Sequence, residues 1–145
     1  MYQNLLAPID GSDEAHQAAE HALDLAAELD ATVHVLYVIE PRPAFAAKES
    51  SEQQDEQIPE EHRAYAQEQV GEVADLAASK DVDCEREVTS GFPGSEIVES
   101  AEDSAVDAIV MGARGHGWGG VDTTVLGSTT QRVNRTASIP VLTVR

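Results

Sequence analysis

Basic residues are scarce in this chain: nine lysines and arginines stand against 27 aspartates and glutamates over 145 residues, a formal charge of −18 at pH 7. Only Lys48 and Lys80 are lysine. Such a balance argues against a nucleic-acid partner, whose phosphates would be repelled. Cysteine is nearly absent too, and the single Cys84 leaves no internal disulfide and no cysteine metal cluster. Long apolar runs are missing, so nothing approaches the roughly 18 residues of a membrane span. Met1 to Leu6 has neither the basic start nor the apolar core of a signal segment. The expectation is a soluble, cytoplasmic protein whose acidic, lysine-poor surface suits a high-salt interior, where screening suppresses self-repulsion.

Several catalytic signatures are also missing. A P-loop is absent, because Gly112-x4-Gly117 is followed by Trp118 and Gly115-x4-Gly120 by Val121, with no lysine to reach a phosphate. That speaks against fast phosphoryl transfer. There is no Gly-x-Ser-x-Gly elbow. His16, His21, His34, His62 and His116 are scattered without metal-ligand spacing. Gly115, Gly117 and Gly120 fit the dinucleotide glycine pattern, but they follow the fourth strand and not the first, and no acid stands about twenty residues later. The chain is therefore not expected to be an enzyme, or at most a slow or partner-dependent ATP hydrolase.

What is present is a regular alternation. Tyr2 to Ile9 reads as a strand buried on both faces, and Asp10-Gly-Ser-Asp13 ends it with caps for the helix that follows. Alanines and leucines from Ala15 to Leu29 recur at helical spacing, and Thr32 to Ile39 is a β-branched second strand. Glu40 to Pro59 breaks the pattern, about twenty residues with a polar, acidic middle that read as a mobile loop, either plain surface chain or a lid over a ligand. Helix resumes over Glu60–Ser79 with Ala66, Val70, Val73, Ala74 and Ala77 inward. Asp83–Thr89 alternates like an edge strand. After the Gly91–Gly94 turn comes a helix over Ser95–Ala105 with Ile97, Val98 and Ala101 inward, then the strand Ala108–Met111. Gly127-Ser128 opens a short helix, and Pro140–Val144 is the last strand.

That order predicts one α/β domain over 1–145, Rossmann-like, with a five-stranded parallel sheet in the order 3-2-1-4-5 and helices on both faces. The winding then reverses between strands 1 and 4, where ligands bind at the carboxyl ends. Asp10 and Gly112 become neighbours there. Glycines in the loop after strand 4 let backbone approach a ligand, and the N–H groups opening the helix after Gly127 suit an anion, phosphate first. Charge agrees: Asp122 is the only acid after Asp107, while Arg114, Arg132, Arg135 and Arg145 all lie there.

On these residues the chain resembles the universal stress protein family, over essentially its full length. The resemblance is carried by Leu5-Leu-Ala-Pro-Ile-Asp-Gly-Ser12, Val35–Ile39, Gly91-x-Pro93, Asp107–Gly112, Leu126-Gly-Ser128 and Ile139-Pro-Val-Leu142. Members divide into those that bind ATP, with Gly-x2-Gly-x9-Gly-(Ser/Thr), and those that do not. The resemblance to the ATP-binding subtype implies that Gly112, Gly115, Gly127 and Ser128 hold the phosphates and ribose, with the Thr129 N–H added; Arg114 and His116 are within reach of the phosphates by position, or are solvated at the loop tip. Asp10 would sit by the adenosine, the Val38 backbone at the adenine edge, and Met111 with Pro8 and Ile9 along the base. ATP, with Mg²⁺ as its counter-ion, is the implied cofactor. Eleven residues separate Gly115 from Gly127 where the motif has nine, so His116-Gly117 reads as a two-residue insertion that a glycine-rich bulge absorbs or that displaces Gly115. A homodimer through the last strand, burying Val141 and Val144, is also implied. The alternatives left open are a dimeric interaction protein that binds no nucleotide and a slow nucleotide hydrolase.

Overall fold

In a computed structural model the chain is described over residues 2–40, 58–113 and 126–145. The elements run β1 (Asn4–Ile9), α1 (Asp13–Leu29), β2 (Thr32–Ile39), α2 (Glu60–Ser79), β3 (Cys84–Ser90), α3 (Pro93–Asp103), β4 (Ala108–Gly112), α4 (Ser128–Thr136) and β5 (Val141–Val144). The five strands form one parallel sheet in the order β3-β2-β1-β4-β5. The expected order is the observed one.

The sheet is covered on both faces because its central strands carry apolar side chains at consecutive positions. Leu5, Ala7 and Ile9 face α1 and α2, while Leu6 faces the layer of α3 and α4. Alanine makes the first layer close: Ala15, Ala18, Ala19, Ala22 and Ala26 are all buried on α1. Ser12 caps that helix, its Oγ accepting from the Ala15 N–H at 3.2 Å, and Asp13 and Glu14 complement the dipole in the first turn.

One helix start and two burial assignments differ notably from the sequence reading. α3 begins at Pro93, not Ser95, because proline fits the first helical position, where its missing N–H costs nothing. On α2 the buried set takes in Gln69, while Ala74 is half-buried. Val98 packs against the core of the α3 and α4 layer but stays partly exposed. The segment 41–57 of the expected acidic loop lies outside the described residues.

Asp107 does work that sequence patterns did not expose. Its Oδ2 accepts from the backbone N–H groups of Gln3 (2.7 Å) and Asn4 (2.9 Å), and its own N–H donates to the Asn4 carbonyl at 2.7 Å. One carboxylate thereby sets the start of β1 against the start of β4. Among the described residues no helix is long and apolar enough to cross a membrane.

Candidate functional site

The site follows from where the ladder between β1 and β4 stops. The Gln3 carbonyl accepts from Thr32 on the β2 side and the Asn4 carbonyl from Asp107 on the β4 side. In a parallel strand this alternation continues, so position 8 should donate toward β4. Residue 8 is proline and has no N–H. Pairing with β2 runs on to Ile9↔Tyr37, but pairing with β4 is limited to Leu5↔Ala108 and Leu6↔Ile109. Beyond that point the chain turns from β1 into α1 on one face and from β4 toward α4 on the other. A crevice opens at the carboxyl ends, at the reversal of winding.

Seven of the expected residues line it: Pro8, Ile9 and Asp10 from the end of β1, Val38 from β2, Met111 and Gly112 from β4, and Thr129 from α4. Gly127 and Ser128 form the start of α4 beside it. Arg114, Gly115 and the inserted pair His116-Gly117 lie outside the described residues. Five further residues line the crevice without having been expected: Ala15, Glu40, Pro93, Ile97 and Thr130. Ile97 was expected only as a core residue. No local signal marks these five, because each reaches the crevice through the way its element packs.

The floor is apolar. Ile9, Val38, Met111 and Ile97 are 3 to 8% exposed, a wall suited to a flat hydrophobic group. The two ends differ in polarity. At the β1 and β2 end stand Asp10 and Glu40. Asp10 Oδ1 accepts from the Ser12 N–H at 2.9 Å, a turn that fixes the carboxylate. Gly11 completes that turn at φ +87°, and a Cβ there would stand 2.5 Å from Tyr65 Oη. Tyr65 in turn packs edge-on against Tyr37, ring centres 6.1 Å apart. Burial pushes the Tyr37 phenol above its usual value, and the charges of Tyr65, Asp10 and Glu40 add to the effect. This end favours hydrogen-bond donors and neutral hydroxyls.

The α4 end favours anions. Gly127 is the N-cap of α4, and among the described residues no side chain caps that helix. The first helical bond runs from the Gln131 N–H to the Gly127 carbonyl, so the N–H groups of Ser128, Thr129 and Thr130 have no partner within the helix. They carry the positive end of the dipole. The turn is held in place from β4: the Gly127 N–H donates to the Ala113 carbonyl, and the buried Thr130 Oγ1 donates to the Gly112 carbonyl, both at 2.8 Å. α3 opens beside it, also without a side-chain cap, and its Pro93 lines the crevice. Among the described residues no cluster of three or more histidines, cysteines or carboxylates could hold a metal ion.

Comparison with known proteins agrees with this architecture. A family model described as the universal stress protein family matches residues 1–145. The chain is 37% identical over 147 residues to universal stress protein MJ0531 of Methanocaldococcus jannaschii, covering all of this chain and 83% of the relative. Among solved structures it is similar to universal stress protein UspA from Lactobacillus plantarum, with a TM-score of 0.82 and 28% identity over 99% of this chain and 98% of that one. A universal stress protein in complex with cAMP superposes with a TM-score of 0.72 at 25% identity, covering 99% and 97% of the two chains. The sheet order, the crevice at its reversal and the end-to-end match have one reading: the chain belongs to the universal stress protein family.

Proposed function

We propose that this chain is an ATP-binding stress-response module, in which the nucleotide is a signal or structural ligand and not a substrate in rapid turnover. The observation that carries the reading is the polarity of the crevice: an apolar floor lies between a carboxylate end and an end of helix N–H groups that have no partner within the helix. An adenine nucleotide has the matching order of parts, a flat base, hydroxyls that donate, and phosphates. The base would lie on Ile9, Val38 and Met111, the ribose by Asp10, and the phosphates at Gly127, Ser128 and Thr129. ATP brings Mg²⁺ as the counter-ion of its phosphates. The cAMP complex of a relative supports an adenine nucleotide in this fold.

The test is isothermal titration of ATP with Mg²⁺ into protein freed of co-purifying nucleotide, in molar KCl. Binding near micromolar is expected, weakened at least about tenfold in Gly127→Val, because a branched N-cap side chain sits over the N–H groups. The absence of heat, of thermal shift and of co-purified nucleotide would refute the reading. A second reading concerns assembly. β5 is a sheet edge, and its Leu142 is 43% exposed while Val141 and Val144 are half-buried against the chain's own core. An apolar edge with no further strand beside it among the described residues invites a strand from a second copy, and a homodimer through β5 would cover it. A cytoplasmic, salt-rich setting fits the charge of the chain.

A further inference from the structure

Arg132 lies one turn into α4 and is exposed, yet its stem is held. A Cβ built on Gly94 of α3 would stand 2.6 Å from Arg132 Cδ, 3.1 Å from Cγ and 3.3 Å from Cβ. Glycine is disfavoured within a helix relative to alanine, so its presence at a buried position of α3 needs a packing reason. The arginine stem supplies it. Pro93, the residue before Gly94, lines the crevice, and so does Thr129, three residues before Arg132 and hence on the same face of α4. Side chains on a helix lean toward its N-terminus. The stem therefore lies in the seam between α3 and α4, and that lean directs it toward the helix N-termini, where neither N-cap residue makes a side-chain cap. Among the described residues that guanidinium makes no hydrogen bond or ion pair. On a chain carrying −18, a cation anchored by its stem with its head unspent is a ready partner for a ligand anion.

We infer that Arg132 recognises a phosphate of the nucleotide and grades affinity by phosphate charge, with Gly94 kept small so that the stem can lie across it. The inference rests on the nucleotide site proposed above. Its test is titration of ATP with Mg²⁺, and separately of adenosine, into the wild type and into Arg132→Gln, Arg132→Lys and Gly94→Ala. In Arg132→Gln the affinity for ATP should fall about tenfold, the scale of a charge-assisted hydrogen bond, and that for adenosine less than twofold. Arg132→Lys should recover part of the loss. Gly94→Ala retains the arginine but removes the room for its stem, and should show the same split between the two ligands. Equal ATP affinity in Arg132→Gln and wild type overturns the inference and leaves the nucleotide site standing. So does a parallel loss of ATP and adenosine, which would place Arg132 in the frame of the crevice and not at the phosphate. A wild type that binds neither ligand refutes the site itself, before any substitution is compared.

Discussion

Asp107 shows how much one side chain can decide. A single carboxylate oxygen accepts two backbone N–H groups at the start of β1, where neither strand neighbour supplies the acceptor. Removing it in Asp107→Ala strands a part-buried donor, and the expected loss is about 1 to 3 kcal/mol, measured by urea unfolding. Asp107→Asn keeps an acceptor without the charge and should lose less. An alanine variant as stable as wild type would mean that water replaces the carboxylate at no cost. The sequence marked Asp107 only as the head of a motif; its partners, Gln3 and Asn4, are more than a hundred residues away, and no local pattern reports them. Pro8, by contrast, was legible as a crevice residue by resemblance, while its physical role appears only when the hydrogen-bond alternation of β1 is followed to the point where it fails.

At the level of elements, the apolar periods place the strands and the first three helices, α4 is marked by Gly127-Ser128, and the β3 edge is visible in the alternation of Cys84, Arg86 and Val88 with glutamates. Right-handed crossovers with a single reversal of winding are compatible with the reversal seen between β1 and β4, but alternation alone also allows a reversal elsewhere. Which turn of a helix faces the crevice is a different matter. Ala15, Pro93 and Ile97 reach it through the tilt of α1 and α3 across the sheet, which depends on packing and not on period. The helix ends show the same limit, since Pro93 reads as turn or as first helical residue until the chain beyond it is placed. β5 supplies the prediction at this scale. Leu142 is the exposed apolar side chain of that edge strand, and a lysine there places charge where a partner strand would lie. Light scattering in molar KCl should give a dimer for the wild type and a monomer for Leu142→Lys. A monomeric wild type would defeat the edge pairing.

The whole molecule is electrically lopsided. Glu20, Asp24, Glu28, Glu61, Glu68, Glu72 and Asp75 are exposed on the outer faces of α1 and α2, whereas α4 carries Arg132 and Arg135 and no acid. Self-repulsion among the acids disfavours the compact state, and salt relieves it as the screening length falls from about 10 Å at 0.1 M to about 3 Å at 1 M. The midpoint of thermal unfolding should therefore climb by at least about 5 °C between 0.1 and 2 M KCl, corresponding to roughly 1 to 2 kcal/mol for a chain of this size. A flat or falling curve would show that the acids are well enough solvated, or well enough paired, to need no screening.

The short ladder between β1 and β4 has a mechanical side. With only Leu5↔Ala108 and Leu6↔Ile109 in register, the sheet is two panels, β3-β2-β1 and β4-β5, sewn together at one end and unstitched at the other. A ligand lodged in the gap would touch both panels at their free ends. It would then act as the missing stitch, slowing amide exchange along the outer halves of β1 and β4, and coupling occupancy of the crevice to the angle at which β5 is presented to a second chain.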